Sequence, residues 1–153
     1  MTDKNSLSEG AEQFASFEYT SDIGAVNEDM LADGFFVGWP NPPSCATHLK
    51  ILQNSYVAYV AIDMATDKVV GFINAISDGV LSAYIPLLEV LPEYQGRGIG
   101  NRLVQLLLTD LGGLYMIDVL CDEDIQPFYV KFGGLCSQGV VFRNYDAQSG
   151  NII

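Results

Sequence analysis

Residues 95–100 read Gln-Gly-Arg-Gly-Ile-Gly, which sets Gly96, Gly98 and Gly100 at alternate positions between an apolar run and a helical pattern. Glycines let a ligand approach the main chain, and a helix start offers unpaired N–H groups at the positive end of its dipole. The combination suits an anion, with Arg97 and Arg102 adding charge at the rim in a chain that has only seven Lys and Arg. Neither familiar phosphate motif fits: GxxxxGK[ST] needs a lysine that is absent here, and GxGxxG needs a different glycine order. Just upstream, Glu89 is a lone carboxylate among Leu87, Leu88, Val90 and Leu91. Such a setting suits a carboxylate that moves protons, although it also suits one held by a structural hydrogen bond.

Several elements must position these residues. From Gly98 onward, Leu103, Val104, Leu107, Leu108 and Leu111 fall on one helical face, and Gly112-Gly113 ends the pattern. Before the loop, "LSAYIPLLEVL" reads as a strand in which Pro86 is tolerated only at a bulge or an edge. Two runs, "SYVAYVAID" and "VVGFINAIS", flank the hairpin loop "MATDK" and predict an antiparallel pair. Beyond the helix, "LYMIDVLC" predicts a buried parallel strand, residues 123–132 a short helix stopped by Gly133-Gly134, and "GVVFRNYD" a last strand. At the other end, residues 14–20 alternate like a strand. Asp22 then predicts a cap for a helix from about Ile23 to Phe35, and after a Pro-rich break Ala46 to Leu52 predicts a second helix. The expected architecture is one α+β domain over residues 11–153 around a mixed sheet, with residues 1–10 a flexible N-terminal segment.

Composition limits the function classes. At 153 residues, 49% hydrophobic and 17% charged, the chain has material for one core. A net charge of −12 argues against nucleic acid and against anionic membranes, and would attract a cationic small molecule such as an amine. No signal-peptide pattern or long apolar run is present, so the expected location is cytoplasmic. Cys45, Cys121 and Cys136 have no CxxC spacing, so neither a disulfide framework nor a metal site is expected. The lone His48 is expected to pack or face solvent rather than react.

Two segments carry a resemblance. "VLPEYQGRGIGNRLV" closely resembles the pyrophosphate-binding segment of the GNAT superfamily of acyl-CoA N-acyltransferases, in which Gln or Arg, two residues, Gly, one residue and Gly or Ala follow in order. Gln95, Gly98 and Gly100 fill that pattern, and "PFYVKFGG" at 127–134 resembles the family's FYxxxGF segment, with Gly134 standing where an aromatic residue is usual. "FINAISDG" is similar to a stretch of small bacterial members, and the likeness runs from about residue 17 to 146.

The resemblance implies a mainly antiparallel sheet flanked by helices with a splayed central strand pair. It also implies acetyl-CoA as co-substrate and no metal. Its pyrophosphate would lie on the main chain of Gln95, Gly96, Arg97, Gly98, Ile99 and Gly100, and its pantetheine arm along Leu88, Glu89 and Val90. Tyr129 would be the proton donor to the CoA sulfur, Glu89 the candidate base, and an N–H near Val90 the oxyanion donor. Trp39, Asp78, Tyr84 and Asp122 are the candidates for an amine pocket, although Asp78 before Gly79 also meets the demands of a turn. The implied activity is N-acetyl transfer to the primary amine of a small molecule by direct attack in a ternary complex. The alternative is a non-catalytic CoA-binding sensor. A homodimer is expected by analogy with relatives.

Overall fold

The computed structural model describes residues 16–31 and 34–150. Its centre is the hairpin of β2 (Val57–Asp63) and β3 (Lys68–Ser77), whose apolar side chains fill both faces. Val69, Val70, Phe72, Ile73 and Ala75 of β3 are all buried, because helices and turns cover the sheet on either side. β1 (Phe17–Thr20) pairs antiparallel with β2, and β4 (Ser82–Val90) antiparallel with β3. β5 (Met116–Val119) is parallel to β4, so the sheet order is β1-β2-β3-β4-β5.

Each face receives one principal helix. α1 (Cys45–Gln53) starts where the Ser44 side chain accepts the Thr47 N–H, and it buries Leu52 and His48 over Val60, Val69 and Phe72. α2 (Ile99–Asp110) lays Ile99, Leu103, Val104 and Leu107 on Val70, Ile73, Ala83 and Ile85 of the other face. Gly71 sets how close that helix comes: a Cβ there would lie 3.1 Å from Ile99 Cγ2 and 3.3 Å from Leu103 Cδ1. The short α3 (Gln126–Val130) sits beyond β5 and brings Phe128 and Tyr129 against the α2 side of the core.

Pro86 lies where expected. Between Asn74↔Leu87 and Ile76↔Tyr84 the register slips, so β4 carries an extra residue around Ile85-Pro86. Pairing of β4 with β5 ends at Ile85↔Val119, and Pro86–Val90 therefore has a strand neighbour only on the β3 side. The central pair is splayed.

Other expectations need correction. The helix from Ile23 to Phe35 is not formed. Two 3-10 turns, Ile23–Ala25 and Glu28–Met30, are separated by extended backbone at Val26 and Asn27, and the Asn27 side chain starts the second turn by accepting the Met30 N–H. Asp22 precedes the first turn but makes no side-chain cap. Residues 139–146 form no strand, so β5 is an edge rather than the buried neighbour expected, and Met116 is exposed. Residues 1–10, expected to be flexible, and the first residues of the 14–20 run lie outside the described residues.

His48 is only 2% exposed, ringed by Phe35, Phe36 and Phe72, and its Nε2 has no hydrogen-bond partner. Burial pushes its pKa down to about 4 from the usual 6.5. Because the folded value lies below the unfolded one, the fold favours neutral histidine. That contribution is complete above about pH 6.5 and is lost as pH falls towards 4. Denaturant titrations should therefore show stability falling by about 2 kcal/mol from pH 7.5 to pH 5. His48→Leu should remove most of that slope, and an unchanged slope would mean that another group titrates.

Candidate functional site

The glycine loop follows a single 3-10 turn, Pro92–Tyr94, that hangs from the end of β4. Its position is fixed by a short chain of contacts. Buried Asp63, at the end of β2, accepts the Ala65 N–H at 2.9 Å and the Tyr94 hydroxyl at 2.8 Å. These bonds hold its carboxyl below the usual range, the Ala65 bond foremost. The Arg97 guanidinium then lies over the Tyr94 ring, 5.1 Å from its centre, and donates to Glu93 O. Gln95 turns back and donates from Nε2 to Val90 O at 3.0 Å.

Gly98 caps α2 in the left-handed region at φ 82°, and no side chain caps the helix. Gly96 is also left-handed at φ 76°, and a Cβ at either glycine would meet nothing within 4 Å. The first turn of α2 thus presents uncapped amides to an open space kept free of side chains. At Gly100 the walls close in: a Cβ there would lie 3.7 Å from Phe128 Cζ and 3.8 Å from Val90 Cγ2. The end of β4, the start of α2 and α3 converge at that point.

The backbone of β4 faces the same opening. Leu91 N–H bonds Val70 O, so by antiparallel alternation Glu89 directs its main chain to β3 while Leu88 and Val90 direct theirs to the side where β5 has left. A linear ligand with amide groups could bond there as an added strand.

Tyr129 is half-buried, and burial first, then the neighbouring Cys121, pushes its pKa up to about 12. Its hydroxyl stays protonated through the neutral range. Tyr129 and Tyr84 line one cavity of about 590 Å³, together with the end of β5, Cys121 and residues 134–143.

Glu89 sits on the opposite face of β4 from Leu88 and Val90. Its carboxylate accepts the Phe36 N–H at 2.7 and 2.9 Å and the Val37 N–H at 3.4 Å. Phe36 has φ 62°, a left-handed conformation that costs a non-glycine residue roughly 1–2 kcal/mol. Those charge-assisted bonds hold it there. Trp39 rides on the same loop, its ring 5.2 Å from that of Phe36.

The remaining expected residues are dispersed. Asp78 accepts from the Val80, Leu81 and Ser82 amides and the Ser82 hydroxyl. The Leu81 bond leads those that lower its pKa to about 2, and the carboxylate is committed to the turn. Asp122 is exposed and precedes the turn that leads into α3, its carbonyl accepting the Ile125 and Gln126 N–H groups. The charge of Arg102 is felt at Tyr19 and Tyr59, where it opposes the rise in pKa that burial causes at Tyr19 and the Asp110 hydrogen bond at Tyr59.

Lys131 was not among the expected residues. Its ammonium donates to Asn101 Oδ1 in the first turn of α2 and lies 4.3 Å from the centre of the Phe128 ring. A cation two residues after Tyr129 was visible in the sequence, but the fold was needed to bring it to the loop. Among the described residues no cluster of three or more His, Cys, Asp or Glu is placed to hold a metal, and no helix is long and apolar enough to cross a membrane.

The family profile described as Acetyltransferase (GNAT) domain matches residues 53–133, which run from the end of α1 through the glycine loop to just past α3. The chain belongs to the GNAT acetyltransferase family. It is 35% identical over 126 residues to GCN5-related N-acetyltransferase 3, chloroplastic, of Arabidopsis thaliana, covering 80% of this chain and 44% of that protein. It is 28% identical over 114 residues to an uncharacterized N-acetyltransferase of Pyropia yezoensis, covering 72% of this chain and 64% of the other. The chain thus spans less than two thirds of the length of these relatives.

Among solved structures, a candidate acetyltransferase from Deinococcus radiodurans R1 superposes with a TM-score of 0.84 at 40% identity, covering 90% of this chain and 94% of that one. A GNAT-family acetyltransferase from Streptococcus pneumoniae gives 0.66 at 29% identity, with 85% and 98% covered. The GNAT fold, mixed and mainly antiparallel with its sheet opened beside β4, is the fold of this chain. GNAT acetyltransferases generally use acetyl-CoA, and the uncapped glycine turn suits its pyrophosphate.

Placing a side chain in the cradle tests this fit. Gly98→Ala should raise the dissociation constant of acetyl-CoA by about tenfold or more, equivalent to roughly 1.4 kcal/mol, in isothermal calorimetry. Strain at φ 82° should lower the melting temperature by only a few degrees. Affinity equal to the wild type would separate the glycines from the phosphates.

Proposed function

We propose that this GNAT acetyltransferase transfers an acetyl group from acetyl-CoA to the primary amine of a small molecule, by direct attack with both substrates bound. The observation that carries the reading is the convergence at Gly100. There the uncapped start of α2, Val90 at the end of β4 and Phe128 of α3, the neighbour of Tyr129, come together.

Acetyl-CoA supplies an activated acyl thioester. The amides of Gly96 to Gly100 would hold its pyrophosphate, with Arg97 and Lys131 supplying charge beside them. Leu88 and Val90 would bond its pantetheine arm, and the Val90 N–H would stabilise an oxyanion. Tyr129, which keeps its proton to a pKa of about 12, would donate it to the departing thiolate.

On the other face, an alkylamine is mostly ammonium near pH 7 and must lose a proton before attack. Glu89 is the proposed acceptor, directly or through water. Three N–H contacts orient its carboxylate and leave lone-pair capacity on its oxygens. Tyr84 and Trp39 are the proposed apolar contacts for the amine. The net charge of −12 favours a cationic acceptor over an anionic one.

Thiol release from acetyl-CoA, followed across a panel of small primary amines, tests the function. At least one amine should give turnover. Tyr129→Phe should then lower kcat by about 100-fold or more while leaving the KM for acetyl-CoA within a few-fold. Acetyl-CoA binding with no transfer to any amine would instead indicate a CoA sensor. Glu89→Gln separates base from clamp: loss of kcat at unchanged melting temperature supports the base. A lowered melting temperature with kcat retained assigns Glu89 to holding the Phe36 loop.

A further inference from the structure

Past β5 the chain turns at Leu120 and Cys121, forms α3, and returns to the same end of the sheet through residues 134–144, which form neither helix nor strand. Two contacts hold the returning segment close to where it left. A Cβ on Gly134 would lie 3.4 Å from the Tyr129 carbonyl oxygen, and one on Gly139 would lie 3.0 Å from Leu120 Cδ1. Cys136 stands between those two points, and Leu120 is the neighbour of Cys121. Both thiols belong to the wall of the cavity of about 590 Å³ that also holds Tyr84 and Tyr129. Each is near enough for its charge to be felt. Burial first, then the charges of Asp122, Cys136 and Asp124, push the Cys121 thiol up, and Cys121 in turn adds to the rise at Tyr129. The third cysteine, Cys45, donates to the Leu31 carbonyl in the α1 layer and has no part in this wall.

We propose that Cys121 and Cys136 form an intramolecular disulfide when the protein meets hydrogen peroxide, and that the bridge closes the cavity beside Tyr129. The two thiols divide the work by access: Cys136 is exposed and Cys121 is half-buried. Oxidation therefore starts at Cys136. Its thiolate attacks one peroxide oxygen, the O–O bond breaks, and the sulfur becomes a sulfenic acid as the other oxygen leaves as water. Cys121, kept protonated by its surroundings, is the slower of the two towards peroxide and serves as the resolving partner. It gives up its proton and attacks the sulfenic sulfur; the S–S bond forms, and the hydroxyl departs with that proton as a second water. Two thiols lose two electrons, and one peroxide takes them.

The geometry gives the bridge its consequence. A disulfide needs its Cβ atoms about 4 Å apart, so forming it draws Cys136 and its neighbours onto the end of β5 and shuts the cavity between the two residues. The segment that moves has no helix or strand to break. A thiol reductant reopens the bridge by exchange. Amine turnover falls in the oxidised form, a consequence that rests on the function proposed above.

The full-length wild type, treated with a small excess of hydrogen peroxide, tests the chemistry without any assay of activity. Its mass should fall by two hydrogens, thiol titration should leave Cys45 alone reactive, and a non-reduced digest should contain the Cys121 peptide linked to the Cys136 peptide. A bridge to Cys45, a link between two chains, or Cys136 carried to the sulfinic acid with Cys121 still reduced overturns the proposal. The order of events is read from single variants. In Cys121→Ser a dimedone probe should label Cys136, and in Cys136→Ser it should leave Cys121 unlabelled; the reverse pattern overturns the assignment. If an amine is turned over, peroxide should lower the wild-type rate by at least tenfold and dithiothreitol should restore it, while Cys136→Ser should show the same rate before and after peroxide. A wild-type rate unchanged by a completed bridge overturns the closure of the cavity. If no amine is acetylated by any form, the catalytic reading fails, and the disulfide stands or falls on the mass and the digest alone.

Discussion

Pairing between β4 and β5 stops at Ile85↔Val119, while pairing between β4 and β3 continues to Gly71↔Val90. The unequal lengths of these ladders are the constraint on which the site depends. Because Pro86 lacks an N–H and β4 gains a residue beside it, the side chains after the bulge exchange faces, so that Leu88 and Val90 join the α2 side and Leu87 the α1 side. Had the register continued unbroken, Glu89 would have pointed into the α2 layer and could not have reached the loop at Phe36. The same bulge leaves the outward backbone of Leu88 and Val90 without a strand partner among the described residues. Gln95 Nε2 satisfies the Val90 carbonyl, and the rest of that edge is available to a ligand.

Glu89 then carries a second consequence of the bulge across to the far layer. A carboxylate bound by the Phe36 and Val37 amides stabilises a left-handed phenylalanine that would otherwise relax. The ring of Phe36 packs on His48 and Phe72, so the loop is tied to the core of the α1 face as well as to β4. Backbone strain in the loop, the unpartnered His48 Nε2 and the Glu89 clamp are adjacent. Their clustering fits a region held in place for positioning rather than selected for stability alone.

How much of this was legible in the sequence follows from the range of the interactions. α2 was legible because its apolar face repeats within twelve residues and glycines bound it, and the β2–β3 hairpin because alternation and a turn are local signals. Pro86 announced its bulge for a chemical reason, the missing N–H. The segment from Ile23 misled because helical periodicity says nothing of Asn27, whose side chain closes a tighter turn. Residues 139–146 have strand composition but no strand, since a strand requires a partner that composition cannot supply. Within the site, Gln95, Gly98 and Gly100 lie in one contiguous pattern. The Glu89–Phe36 contact spans 53 residues, and the approach of Lys131 to Asn101 spans 30. Contacts of that range exist only after the sheet has formed.

Charge bears on the proposed function, under which a protein of net charge −12 would hold an anionic co-substrate. The field of the whole surface opposes that task, but it acts through water and is screened within about 10 Å at ordinary ionic strength. The local field at α2 has the opposite sign. Two cations, Arg97 and Lys131, are held there by the faces of Tyr94 and Phe128, and the helix adds the positive end of its dipole. Aromatic faces hold these side chains without neutralising them, as a carboxylate partner would. A few cations so placed can offer a phosphate a local positive site on an otherwise acidic surface, and under the proposed function the remaining negative field would favour an acceptor of opposite charge.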